Sequence, residues 1–148
     1  MKRALIAAAL IALAVLDADH AQAQDKPRYK SVTGAWTLTV EQHYGLKLEL
    51  EQKKTAVTGT LDWPHGDPLK LAGALTGDTL TFSGDSAGSN FTIHVDSTGT
   101  VKADGTMTGT LKALFTDYND AHEVLRKHDQ EIPWTAERGW HNIVHFPR

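Results

Sequence analysis

From Trp36 to Arg138 the chain places apolar residues at every second position, in runs separated by turn-forming residues. Successive side chains of a strand point to opposite faces, so this period dictates half-buried strands. Trp36, Leu38 and Val40 alternate with Thr37, Thr39 and Glu41, and Leu46, Leu48 and Leu50 with Lys47, Glu49 and Glu51. Val57, Gly59, Leu61 and Trp63 share one face, and Thr58, Thr60 and Asp62 the other. The Pro64-His65-Gly66-Asp67-Pro68 segment is a loop, after which Leu69, Leu71, Gly73 and Leu75 form a fourth strand. Leu80 and Phe82 follow the Gly77-Asp78 turn, and Phe91, Ile93 and Val95 follow a Gly/Ser/Asn-rich loop at 84–90. A turn at Ser97 to Gly99 leads to Val101, Ala103, Gly105, Met107, Gly109 and Leu111. These read as one long bent strand, because the alternation runs unbroken through Asp104-Gly105, itself a hairpin-type dipeptide. Ile132, Trp134, Ala136 and Arg138 make the eighth strand.

Strands joined by tight turns are antiparallel neighbours, and eight in succession with one apolar face remove their free edges by closing up. The connection at 115–131 is longer. Asp117 or Asn119 can cap a helix whose face carries Ala121, Val124, Leu125 and His128. The expected fold is therefore all-β: an eight-stranded antiparallel up-and-down barrel over 33–138. A short helical insertion at 115–131 precedes the last strand and lies over one mouth or along the side.

The first residues do not belong to that barrel. Lys2 and Arg3 precede an apolar run from Ala4 to Leu16, and Ala21-Gln22-Ala23 is a small-x-small cleavage site. The run is shorter than the roughly 20 residues a spanning helix needs, and Asp17, Asp19 and His20 follow it. Residues 1–23 are read as a signal peptide, 24–32 as a polar leader and 139–148 as a C-terminal tail. Export without a single cysteine fits a bacterial periplasm, or secretion, better than a disulfide-stapled eukaryotic domain. A remainder of about 125 residues buries an adequate core without such bridges. Lys2 and Arg3 balance Asp17 and Asp19, so the exported part keeps the net charge of −3. Without a basic run it offers no electrostatic footprint for nucleic acid.

An outer-membrane barrel also alternates, but with its apolar face toward lipid, strands of about 9–11 residues and aromatic girdles. Here most runs are shorter, aromatic residues are 7% of the chain, and the apolar face contains glycines. The Thr/Lys/Glu/Asp face is the solvated one, and no membrane-spanning part is expected after signal removal.

Gly34-Ala35-Trp36 opens the first strand, and Trp134-Thr135-Ala136-Glu137-Arg138 is the last. Closure makes these strands neighbours, so Arg138 can lie over the Trp36 indole and cover one barrel end. This arrangement resembles the lipocalin and avidin-like (calycin) barrels, with Gly-x-Trp on the first strand and a basic residue on a late one. Val57-Thr58-Gly59-Thr60-Leu61 and Leu71-Ala72-Gly73-Ala74-Leu75 also look like avidin-type strands. The resemblance implies a cup that holds a small, often apolar, molecule, with Gly34, Trp36, Trp134 and Arg138 in structural roles. A helix before the last strand departs from that pattern. No inward cluster of Ser, Asn, Tyr and Asp matches a biotin site, so biotin binding does not carry over.

Inward positions are almost wholly apolar, and Leu38, Val40, Trp63, Phe82, Phe91, Ile93 and Met107 are the candidate ligand-binding residues. Gly59, Gly73, Gly105 and Gly109 either leave room for a ligand or mark the bends that closure needs. The absence of cysteine removes thiol catalysis and thiolate metal sites, and no nucleophile–base pair stands at a recognisable spacing, so no enzyme activity is read from the sequence. Histidine is the compositional oddity. Beyond the signal peptide stand His43, His65, His94, His122, His128, His141 and His145, and His141 and His145 share one face of a helix or strand. The sequence thus supports a binding barrel for a small apolar molecule that requires no cofactor. Two alternatives remain: a metal or haem site using His141 and His145, and an interaction module that docks a larger envelope protein.

Overall fold

The computed structural model describes residues 31–41, 44–64 and 66–143. The signal segment 1–23, His43, His65 and His145 lie outside the described residues. Eight strands run in order: β1 (Gly34–Val40), β2 (Tyr44–Lys53), β3 (Ala56–Leu61), β4 (Leu69–Thr76), β5 (Thr79–Ala87), β6 (Phe91–Val101), β7 (Met107–Tyr118) and β8 (Val124–Arg138). Each pairs antiparallel with the next, and β8 returns to β1 to close the barrel. Trp36 stands opposite Arg138 across that closing seam, as the sequence predicts.

The apolar set faces inward. Trp36, Leu38, Leu48, Leu61, Leu80 and Leu111 are fully buried, while Glu49, Thr60, Lys70 and Lys112 are exposed on the outer face. This is the reverse of a lipid-facing barrel. No helix among the described residues is long and apolar enough to cross a membrane.

Two expectations are corrected. The first is the helical insertion at 115–131, because β7 and β8 run through this segment as a long hairpin joined at 119–123. Asn119 does not cap a helix. Its Oδ1 accepts from the N–H groups of Ala121 (3.0 Å) and Glu123 (2.8 Å), and its Nδ2 donates to Glu123 Oε2 at 2.9 Å. His122 takes a left-handed φ of 58°, so the chain reverses where a helix would continue. Asn supplies that local turn chemistry as readily as it caps helices. Val124 and Leu125, which the helix was to bury, are 53% and 66% exposed.

The second is the long strand through Asp104-Gly105, which is a hairpin turn. Lys102 and Thr106 are joined by a backbone bond of 2.7 Å, Gly105 has φ +86°, and Asp104 Oδ1 accepts from Thr106 N–H at 2.9 Å. Ser97 to Gly99 lie inside β6 instead of in a turn. The alternation hid the turn because Val101 pairs directly with Met107 and both face inward.

The strands do not end together. β1 meets β8 only over 134–138, whereas β7 accompanies β8 over 124–136. Pro133 has no N–H to contribute to a ladder, and the pairing with β1 stops at Trp134. The β7–β8 hairpin therefore projects past β1 at the barrel end that holds the 62–68 and 88–90 loops. That end is the mouth. The end holding Gly34 and Arg138 is the floor.

Candidate functional site at the barrel mouth

The floor is sealed. Val32 is fully buried beneath Trp36, whose indole N–H donates to the Val32 carbonyl at 2.8 Å. Gln52 holds this segment from the other side, accepting from Val32 N–H at 3.0 Å. Arg138 lies 4.4 Å from the Trp36 ring centroid and donates to the carbonyls of Thr33 (3.1 Å) and Ser31. An exposed guanidinium thus caps the indole without burying an unpaired charge. Gly34 (φ +134°) has its Cα hydrogen where a Cβ would press on Arg138 Nη1 at 3.4 Å.

Above the floor, the glycines serve packing. A Cβ on Gly99 or Gly109 would come within 2.6 Å of the Trp134 ring, so these two positions make space for that indole. Cβ atoms on Gly59 and Gly73 would collide with the carbonyls of Glu49 and Thr81 on neighbouring strands, the close approach of a sharply coiled sheet. Gly105, expected among the inward glycines, belongs to the turn. Trp134 donates its indole N–H to Ser97 Oγ at 2.9 Å and packs against Phe82 with ring centroids 6.1 Å apart. No buried side-chain nitrogen or oxygen among the described residues lacks a partner.

The predicted ligand-binding residues divide accordingly. Leu38, Phe82 and Met107 lie in the body of the barrel and are buried as core. Val40 and Ile93 are buried near the rim, and Trp63 and Phe91 sit at the rim itself, only partly covered. Phe91 supports the loops: Cβ atoms on Gly66 and Gly88 would press on its ring. The Ser86 hydroxyl donates to the Asp67 carbonyl and ties the 62–68 loop to β5.

Phe115 was missed in the sequence because it fell in the expected helix, and His128 was placed on that helix instead of at the rim. Phe115 and His128 are opposite one another on β7 and β8, with stacked rings 4.8 Å apart and 9° from parallel. The Trp63 ring lies 6.3 Å from that of Phe115. Trp63, Phe115 and His128 thus form an aromatic run across the mouth. Beside it, Gln130 Nε2 reaches Glu41 Oε1 at 3.4 Å, and Arg126 binds Asp117 Oδ2 through Nε (3.1 Å) and Nη2 (3.0 Å). The signal that could have found Phe115 is its place in the series Leu111, Ala113, Phe115, which continues the inward face of β7.

His141 lies outside the barrel, on the tail that crosses the outer face of β1 and β2. Its N–H donates to Thr37 Oγ1 at 2.8 Å and its Nε2 donates to the Arg138 carbonyl at 2.9 Å. Trp140, beside it, stands under Lys47 Nζ at 4.0 Å from the ring centroid. His145 lies outside the described residues, and with it the predicted His141–His145 pair. Among the described residues no group of three or more His, Asp or Glu is placed to hold a metal ion.

His94 occupies the outer face between two carboxylates, with Nδ1 at 2.6 Å from Asp85 and Nε2 at 3.1 Å from Asp96. The Asp85 hydrogen bond is the main cause raising its pKa above 6.5; partial burial opposes it, and the Asp85 and Asp96 charges add to it.

No family model matches the sequence, and no curated protein does. Among solved structures the chain is similar to rhizavidin in complex with biotin, with a TM-score of 0.49 and 13% identity over 78% of this chain and 99% of that one. It is similar to short afifavidin in complex with biotin, with a TM-score of 0.49 and 11% identity over 77% of this chain and 97% of that one.

Proposed function

We propose that the mature chain is an exported, non-enzymatic binding protein that holds a small, mainly apolar molecule at the barrel mouth. The carrying observation is the Trp63–Phe115–His128 run, in which Trp63 and Phe115 pack partly buried on the top of the core and His128 stacks on Phe115 from the exposed side. The barrel body is occupied by Trp36, Trp134, Phe82 and the leucines, so the ligand rests on the rim and does not descend to the floor. Ligand sites are mainly apolar with a few polar anchors. Gln130, His128 and the Asp117–Arg126 pair supply these within the same hairpin. Export rests on the Lys2-Arg3 start, the apolar run to Leu16 and the Ala21-Gln22-Ala23 site.

The test uses chain 24–148 with a panel of fluorescent lipophilic probes and planar aromatic compounds, biotin among them, read by fluorescence and native mass spectrometry. Saturable one-to-one binding that falls about 3- to 10-fold in both Trp63→Ala and Phe115→Ala is expected, the size of one lost aromatic contact. Absence of saturable binding, or binding indifferent to both substitutions, overturns the reading.

A further inference from the structure

Over residues 124–131 the β1 side of β8 has no partner strand among the described residues, and this edge carries an interaction surface. Residues 124–131 are exposed without interruption, and β1 has already left the sheet at Trp134. The direction of the unused backbone groups follows from two bonds at the paired end. Gly139 N–H donates to Ala35 O on the β1 side, whereas Trp134 O accepts from Thr108 Oγ1 on the β7 side. Odd-numbered residues of β8 therefore point their N–H and C=O away from β7, and Pro133 is an odd residue that has no N–H to offer β1. The ladder to β7 stays regular down to Arg126, with a bulge only at Asp117/Tyr118. Lys127, Asp129 and Glu131 thus direct their backbone donors and acceptors outward, the arrangement of an edge ready to accept another strand.

The side chains select the strand. Reading along the edge, Arg126, Lys127 and His128 are followed by Asp129, Gln130 and Glu131, a basic half and then an acidic one. An antiparallel copy of the same segment lays basic on acidic. A two-fold axis perpendicular to the sheet keeps inward residues opposite inward ones, which limits the register to residue pairs of equal parity. Centred on His128, that register sets Lys127 of each copy opposite Asp129 of the other, twice by symmetry, on the outer face. These same pairs have outward backbone groups, so each can exchange two N–H···O bonds. Neither Lys127 nor Asp129 forms an ion pair with another described residue. Centring one residue back would oppose Lys127 to Lys127, and centring one residue further on would oppose Asp129 to Asp129 on the axis between two Lys127–Glu131 pairs. The His128-centred register is therefore the one that pairs Lys127 with a carboxylate twice and sets no carboxylate or lysine against its own kind.

We propose that the chain self-associates as a two-fold dimer through antiparallel pairing of β8 over residues 125–131, with Lys127–Asp129 cross-pairs. An edge contact of this length buries less than the roughly 1,200 Å² of a standard interface, so the dimer is weak and concentration-dependent. The Arg and Lys side chains that discourage indiscriminate edge pairing here tolerate only a partner of opposite charge order.

The experiment is sedimentation equilibrium of chain 24–148 and three variants at low salt, up to about 1 mM. Wild type is expected to dimerise. Asp129→Lys, which faces Lys127 with lysine, is expected to weaken dimerisation at least 10-fold, and so is Lys127→Asp. The double reversal Lys127→Asp/Asp129→Lys restores the opposition with signs exchanged and is expected to recover dimerisation to within about 3-fold. Circular dichroism confirms that each variant keeps the barrel. A wild type that stays monomeric at 1 mM overturns the proposal. So does a dimer that the single reversals leave unchanged, or one that the double reversal fails to restore.

Discussion

The Arg138 guanidinium lies 4.4 Å from the centre of the Trp36 indole, across the seam where the last strand meets the first. Its N–H groups also hold the carbonyls of Ser31 and Thr33, so one side chain links the closing strand to the segment that seals the floor. Arg138→Met keeps the stem over the ring and removes the charge. The expected cost is about 1–2 kcal/mol: roughly 0.5–1 for an exposed cation–π contact and the rest from the lost carbonyl bonds. Urea denaturation measures it. Arg138→Lys should recover only part of the loss, because a compact ammonium cannot span both carbonyls while covering the indole.

A second expectation concerns the interior. Gly109→Ala would place a methyl within 2.6 Å of the Trp134 ring and near the backbone of β6. Overpacking of this kind costs about 1–3 kcal/mol. Were Gly109 instead there to leave ligand space, alanine would be close to neutral in stability. Thermal unfolding of the variant separates the two.

Much of the barrel was legible because the alternation signal exists wherever one face is buried. Trp36, Leu38 and Val40 advertise their strand for that reason, and closure of the meander led directly to the Trp36–Arg138 contact. The same signal could not reveal the Asp104-Gly105 turn, since a hairpin that pairs Val101 with Met107 preserves parity across itself. It failed differently at β8. From Arg126 to Glu131 the strand stands beyond β1, buries neither face and so has no apolar alternation to show. Ala121, Val124, Leu125 and His128 at helical spacing then filled the gap with a helix. The aromatic run at the mouth was lost with it, because Phe115 and His128 meet only when that segment is a hairpin.

The turn at Asn119 should be sensitive for the same reason. Asn119→Ala removes an acceptor for two backbone N–H groups and a donor to Glu123. A loss of about 1 kcal/mol is expected, with faster amide exchange confined to 116–126. Hydrogen-exchange mass spectrometry reads both the size and the place. A helix in this segment would leave a helical circular-dichroism component that the variant alters; the hairpin leaves none.

His94 gives a pH dependence with a defined sign. Its folded pKa is raised, chiefly by the Asp85 hydrogen bond. The stabilisation is therefore complete below the unfolded value near 6.5 and disappears as pH rises through the raised folded value. Its side chain is 44% exposed, so the effect is a few tenths of a kcal/mol and shrinks with salt. Wild type should lose that increment relative to His94→Gln as pH rises from below 6.5 through the raised folded value, measured by chemical denaturation at low ionic strength.

The central claim is that the mouth, and not the body or the outer wall, is where a small molecule binds. Amide and indole chemical shifts recorded through a titration with a saturable lipophilic ligand test it most directly. The account predicts that the largest changes fall on the Trp63 indole N–H and on Phe91, Phe115, His128 and Gln130, with Trp36 and the Asp104 turn undisturbed. Changes centred on Trp36 and Met107, or on His94 and its outer-face neighbours, would contradict it.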